Sequence, residues 1–384
     1  MNPATKIEPQ APRRTFFLLL LSALILSLGF AAWRLFPRSA PLAAEDSVAG
    51  LEARMIGEEE DAIIAQVELE KRLGTDNVEV WQRFLDSPSS RARALAVESV
   101  GKGRTPAVAA LMTHMLEDPA SSARINAVQS LGLQEPRLAI KPLLAALKDD
   151  DTWISQAAAD RLGKLKLPEA VPDLMAALHN PDRFTASFAA NSLKRLTGQK
   201  LHGSSKDSDE KFNRLISDWE SWWKRAQAGW RRSPELENVP QINPSRSFAA
   251  PEFALDGLSG SRMTLAGLRG KVVLINFWAT DCGPCLVELP GLESVYRKYS
   301  GKGLVVLGVE MNQHDSEALK RFAGARQISY PLFHATKELE AAYGHIHDVP
   351  VSFLIDREGR IRYEWDGDRE ERVFDAAIQK LLTK

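Results

Sequence analysis

Three kinds of apolar pattern succeed one another along this chain, and each predicts a different structure. Residues 15–33 carry no charge and are dominated by Leu, Phe, Ala and Ile. At 1.5 Å per residue such a run spans roughly 30 Å as a helix, the thickness of a bilayer core. From residue 46 to 232 the apolar positions recur every 31 residues. Leu85, Leu116, Leu147 and Leu178 hold one phase of this repeat, and Ala65, Ala96, Ala127, Ala158 and Ala189 hold a second. Val100, Leu131, Leu162 and Leu193 hold a third. Turn residues fall in step: Ser87-Pro88, Asp118-Pro119, Asp149-Asp150 and Asn180-Pro181. Each unit therefore predicts a helix ending at the Leu, a tight turn, and a second helix whose small Ala lets neighbours pack closely. Such helical pairs cannot bury their apolar faces alone, so they are expected to stack into a solenoid. From residue 251 the pattern changes again. It predicts strands over 272–278, 304–309, 351–355 and 361–365, and helices over 282–299, 316–322 and 369–382, the first kinked at Pro290. That alternation suits one α/β core.

The repeats resemble HEAT-like repeats of the short, bilin-lyase type. The resemblance rests on period and carries no function of its own; a partner-binding face and a plain spacer both fit it. A last helix is expected over 212–223, where Trp219, Trp222 and Trp223 stand at i, i+3, i+4 and would close the open end of the stack. An aromatic ligand cage is the alternative there. His114 and His179 are lone histidines at ordinary packing or surface positions of the repeats. Residues 233–250, with Pro234, Pro240 and Pro244, read as a linker.

Charge adds a location rather than a ligand. Lys6, Arg13 and Arg14 precede the apolar run, and Glu8 is the only acid there. Residues 1–14 are therefore expected in the cytoplasm and 15–36 as an uncleaved, single-pass anchor in the cytoplasmic membrane. The bulk of the chain would then lie in the periplasm or its equivalent. A cleaved signal peptide ending near Pro41-Leu42-Ala43-Ala44 is the alternative, and it exports the same chain. A net charge of -1 over 384 residues offers no footprint for nucleic acid.

The chemistry is concentrated in Cys282-Gly283-Pro284-Cys285, which holds both of the chain's 2 cysteines. An apolar strand that delivers C-x-x-C to the start of a helix is the layout of a dithiol redox centre. The helix N-terminus carries about half a positive charge, which favours the thiolate that attacks disulfides. A structural staple between near neighbours would constrain little chain. A structural zinc site wants four ligands and there is no second cysteine pair, although His345 and His347 offer nitrogens. A peroxidase of the thioredoxin superfamily would want Pro-x-x-x-Thr-x-x-Cys; here Thr280 is one residue too close and the proline is absent.

Pro251-Glu252-Phe253, Leu265-Ala266-Gly267-Leu268-Arg269-Gly270-Lys271, Asn276-Phe277-Trp278-Ala279-Thr280, the CGPC motif, Glu288-Leu289-Pro290 and Val349-Pro350-Val351-Ser352-Phe353-Leu354-Ile355-Asp356 carry a further resemblance. Over nearly all of residues 251–384 the chain is similar to the TlpA/ResA family of membrane-anchored, thioredoxin-like thiol:disulfide oxidoreductases. The resemblance implies an extracytoplasmic reductase of protein disulfides, often in cytochrome c maturation or oxidase assembly, fed by a membrane dithiol carrier of the DsbD/CcdA kind. It makes Cys282 the exposed, attacking cysteine and Cys285 the buried, resolving one. It makes Pro350 the residue after a cis peptide bond, facing the dithiol and offering backbone to a substrate strand. It makes Glu288 the acid that helps proton transfer at the buried thiol; a solvated helix position is the plainer reading. Asn276 stands where cytosolic thioredoxins have a buried aspartate. Two places depart from the family: Asp281 replaces an aromatic before the first cysteine, and Gly344-His345-Ile346-His347-Asp348 replaces a Val/Gly-containing stretch.

The expectation is thus a multidomain chain: a transmembrane helix, an all-α HEAT-like solenoid over 46–232, a linker, and a C-terminal α/β thioredoxin-like domain over 251–384. Its expected activity is thiol:disulfide exchange with no cofactor or metal beyond the Cys282–Cys285 couple. The expected partners are a protein disulfide, a membrane dithiol donor and a protein on the solenoid. Two alternatives stand beside it: a solenoid interaction protein whose thioredoxin-like domain binds, delivers or senses metal, and a disulfide oxidase or isomerase.

Overall fold

The computed structural model describes residues 50–384, apart from 52–53, 56–58, 76, 202, 231–235, 237–243, 259, 345, 347 and 384. The expected anchor and cytoplasmic N-terminus lie outside the described residues. Among the described residues no helix is long and apolar enough to cross a membrane.

The repeats fold as their phase dictates. α1 (Glu59–Leu73) is followed by the pairs α2 (Val78–Leu85) and α3 (Ser90–Val100), α4 (Pro106–Met115) and α5 (Ser121–Leu131), α6 (Pro136–Ala146) and α7 (Thr152–Lys164), and α8 (Val171–Ala177) and α9 (Arg183–Thr197). The Leu of each first helix is its last residue or its C-cap. The Ala of each second helix has no exposed surface. Between them the turn residues make one bond in every unit. The side chains of Ser87, Asp118, Asp149 and Asn180 accept from the backbone N–H two residues on. A short polar side chain at that place closes its own turn, which is why Ser, Asp and Asn recur there. α10 (Asp209–Ala226) packs on α8 and ends the array. Trp219 is buried there, with Trp222 edge-on to it at 5.6 Å. Trp222 and Trp223 meet Trp230, whose indole N–H donates to the carbonyl of Pro168 at 3.0 Å.

The C-terminal part is an α/β sandwich. Its elements are β1 (Phe248–Ala249), β2 (Ala254–Asp256), β3 (Arg262–Thr264), β4 (Val272–Trp278), α11 (Gly283–Tyr299), β5 (Leu304–Glu310) and α12 (Ser316–Ala325). β6 (Leu332–His334), α13 (Lys337–Ala342), β7 (Val351–Ile355), β8 (Arg360–Asp366) and α14 (Glu371–Leu382) complete it. Six strands form one sheet in the order β1-β8-β7-β4-β5-β6, and β2 and β3 make a separate hairpin. β4 is parallel to β5 and antiparallel to β7, and every one of its residues is buried. A strand covered on both faces reads as a continuous apolar run. α11 runs through Pro290 as one helix. The two- and three-residue strands β1, β2, β3 and β6 and the short α13 have no expectation in the sequence, because such lengths hold fewer than two full periods and show no repeat.

The α/β part rests on the turn edge of the array. The backbone N–H of Glu364 in β8 donates to the carbonyl of Pro119 at 2.8 Å, and Ala120 bridges Glu364 as a parallel strand would. The array thus covers a stretch of sheet edge that would otherwise be open to pairing. Basic groups of the α/β side meet the acidic turns: Arg246 bonds Asp118 at 3.1 Å, Arg369 bonds Asp151 at 3.2 Å, and Lys380 bonds Asp150. Behind that edge run two buried arginines one repeat apart. Arg93 pairs with Asp118 at 2.9 Å, and Arg124 lies 3.6 Å from Asp149. The guanidinium of Arg93 sits 4.0 Å over the ring of Phe248. Residues 233–250, read as a linker, therefore end in two side chains, Arg246 and Phe248, that are pinned to the array.

Candidate active site

β4 ends at Trp278, in the middle of the sheet, and a short turn carries the chain to Cys282. Cys282 is the N-cap of α11, with extended backbone, and its Sγ accepts the backbone N–H of Cys285 at 3.1 Å. The helix itself begins Gly283-Pro284, where a proline sacrifices no hydrogen bond and its fixed φ suits the first turn. Sγ of Cys282 and Sγ of Cys285 are joined at 2.00 Å with their Cα atoms 5.3 Å apart. Cys285 is only 1% exposed, while Cys282 is half-buried. A half-buried sulfur at the helix mouth and a buried one a turn inside is the arrangement that spacing and resemblance anticipate.

β7 runs antiparallel beside β4, so the residue that starts it arrives next to the end of β4. Val351 pairs with Phe277, and the preceding Val349–Pro350 bond is cis, as the resemblance implies. The carbonyl oxygen of Val349 lies 3.4 Å from Sγ of Cys282. The carbonyl of Pro350 accepts from the N–H of Gly367 at 2.9 Å.

Glu288 is 3% exposed, which replaces the solvated helix position by a buried one. Nδ2 of Asn276 donates to its Oε2 at 3.3 Å, and the backbone N–H of Arg369 donates to Oε1 at 3.3 Å. Burial pushes its carboxyl up to about 8; the Arg369 N–H and guanidinium and the Asn276 amide pull the other way, and Asp368 adds to the rise. Asn276 also donates to Ser352 Oγ at 3.0 Å, while its own Oδ1 has no hydrogen-bond partner.

Arg369 is the residue that sequence reasoning missed. Its backbone bonds Glu288, and its side chain crosses to the array: Nε donates to Asp151 at 3.2 Å, Nη2 donates to Ser121 Oγ at 3.1 Å, and the guanidinium lies 4.8 Å over the ring of Trp153. The turn behind the dithiol is thereby anchored in the array. No local motif marks an arginine that works across two parts of a chain. Arg93 and Arg124, by contrast, stand one 31-residue repeat apart, a signal the periodicity contained. Of the two departures, Asp281 is exposed and accepts from Nδ2 of Asn312 at 2.7 Å. His345 and His347 lie outside the described residues.

Comparison with known proteins fits this geometry. The model of the AhpC/TSA family matches residues 248–364, and that of HEAT repeats matches 113–194. A thiol-disulfide oxidoreductase ResA of Bacillus thuringiensis subsp. konkukian is 32% identical over 133 residues, 34% of this chain and 76% of that protein. ResA of Halalkalibacterium halodurans is 33% identical over 134 residues, 34% of this chain and 74% of that protein. Among solved structures, a thiol:disulfide interchange protein from Chlorobium tepidum TLS has 31% identity and a TM-score of 0.34, covering 36% of this chain and 98% of its own. With its strand-delivered CxxC at a helix mouth and 34% of its length matched to ResA proteins of which it covers 76% and 74%, the chain belongs, through its C-terminal domain, to the ResA family of thiol-disulfide oxidoreductases.

Proposed function

We propose that this chain is a membrane-anchored, extracytoplasmic reductase of protein disulfides that works through Cys282 and Cys285. The observation that carries the reading is the sulfur of Cys282 at the N-cap of α11, with Cys285 buried one turn in and Glu288 buried one turn further. In the reduced chain the Cys282 thiolate attacks one sulfur of a substrate disulfide. A Cys282–substrate bond forms, the substrate S–S bond breaks, and the leaving thiolate takes a proton from solvent. Cys285 then gives its proton to the Glu288 carboxylate and attacks Cys282. The Cys282–Cys285 bond forms and the second substrate thiolate leaves. The substrate gains two electrons and the pair loses two. A carboxyl raised to about 8 can both take up and return a proton close to neutral pH, which suits it to the transfer in either direction. Pro350 and Val349 present the backbone against which the substrate strand lies.

Electrons return to the pair from a membrane dithiol of the DsbD/CcdA kind, and the setting we propose is cytochrome c maturation or oxidase assembly. Residues 15–36 hold the chain in the membrane with its bulk outside the cytoplasm, and the solenoid meets a protein partner. The test is trapping. Cys285→Ala should accumulate mixed disulfides with substrates and Cys282→Ala should not; equal trapping by both would overturn the assignment. A reporter fused at the C-terminus that is active only in the cytoplasm would overturn the topology.

A further inference from the structure

Where the array meets the loop before β7 there is a cavity of about 420 Å³. One wall is the array, with Ile63, Arg91 of α3 and Ser122 of α5; the other is the loop itself, with Asp348, Val349 and Pro350. This size falls within the ~300–1,000 Å³ of ligand-binding clefts. It lies next to the redox centre: Val349 lines it, and the carbonyl oxygen of Val349 is 3.4 Å from Cys282 Sγ.

We propose that this cleft is a substrate channel in which the solenoid supplies the second wall, and that its occupant is an extended, unfolded stretch of polypeptide flanking the target cysteine. The inference rests on the thiol:disulfide reading above and names the substrate class of that same site. A sulfur bonded to Cys282 must sit beside Val349. An extended chain advances about 3.3 Å per residue, so the residues next to that cysteine run directly into the cleft. The walls suit a polypeptide. Ile63 is a large apolar side chain left 48% exposed at the array wall, and Arg91 and Asp348 put opposite charges on opposite walls. The array also narrows the approach. A disulfide held inside a folded domain would bring that domain against α3 and α5, whereas a flexible segment threads between them and the loop. The solenoid therefore selects for unfolded substrates at the point of chemistry, which a spacer would not do.

The test uses the whole chain and two probes: a linear peptide whose single cysteine is disulfide-linked to glutathione, and the small aromatic disulfide dithionitrobenzoate. Ser122→Trp fills the cleft from a half-buried position, and Ile63→Asp removes its apolar wall. Both should slow reduction of the peptide, Ser122→Trp by about tenfold, while the small disulfide is reduced at the wild-type rate. An unchanged peptide rate, or equal loss on both probes in both variants, overturns the channel. If the wild-type chain reduces neither probe, the redox reading itself fails, an outcome distinct from wild-type activity that the two substitutions leave untouched.

Discussion

Two glutamates of the α/β domain are buried with their carboxyls pushed up to about 8, one at its redox end and one at its docked edge. Glu288 sits on α11, three residues beyond Cys285 and on the same face of the helix. Glu364 sits on β8 against the array, hydrogen-bonded to Ser90, with Asp366, Arg93 and Asp118 around it. In both the leading cause is loss of water around the charge, and the size of the shift is alike. What differs is the neighbour. Glu288 lies three residues along the helix from Cys285, whose thiol must lose a proton in the proposed reaction, and Glu364 lies beside groups that fasten one part of the chain to the other. A raised carboxyl thus marks burial, and only what it touches decides whether chemistry follows.

The contrast is testable, beginning with the substitution that should remove all turnover. Cys282→Ser leaves no attacking sulfur, so reduction of insulin should fall to background with the fold intact by circular dichroism. Residual turnover would mean that the redox end lies elsewhere. Next comes Glu288→Gln, which keeps the shape and the amide contact of Asn276 but removes the base. It should slow resolution of the mixed disulfide by about a hundredfold. The wild-type rate should rise as pH passes about 8, where the carboxylate forms, and the variant should lose that limb. An unchanged pH–rate profile would put Glu288 in the same class as Glu364.

Arg369→Ala probes the joint between the two regions. It removes the nearer of the two cations on buried Asp151, which keeps Arg124 at 3.5 Å, so the loss of stability should stay below the about 3–5 kcal/mol of breaking a lone buried pair. The backbone N–H that bonds Glu288 survives the substitution, so turnover should fall less than in Glu288→Gln. Denaturant unfolding and insulin reduction on one sample separate the two effects. A larger loss of turnover than of Glu288→Gln would make the array part of the catalytic geometry.

Most of the fold was legible in the sequence because its elements are periodic. The 31-residue phase located every helix of the array from Val78 to Thr197, and the strand ranges 272–278 and 351–355 match to the residue. The redox centre was legible because two cysteines in a C-x-x-C allow few other roles. The burial of Glu288 was not, since helical spacing places it on a face without saying what covers that face; the cover is the turn at Arg369. The docking of the two parts was hidden for the same reason. It depends on Arg246, Phe248, Glu364 and Arg369, which are far apart in sequence and meet the array only in three dimensions. A proline-rich stretch looks like a linker whether or not its last residues are pinned.

The smallest effect on turnover is expected at Glu364, and it is the sharpest test of the comparison. In the unfolded chain its carboxyl loses its proton near 4.5, and in the folded chain near 8. The folded state therefore holds a proton that the unfolded state has lost. The stabilisation is fully present below about 4.5 and drains away as pH rises towards about 8. Glu288 contributes a slope of the same sign over the same window, and Asp149, raised to about 6 by burial, contributes a shorter one. Glu364→Gln is neutral at every pH. The variant should lose less stability than wild type between pH 5 and 8, yet keep the slope that Glu288 supplies, and its rate of insulin reduction at pH 7 should match wild type. Melting temperatures across that range, with turnover on the same preparations, provide the check. If Glu364→Gln instead slows turnover as Glu288→Gln does, the docked edge takes part in the chemistry and the two carboxyls cannot be told apart by their neighbours.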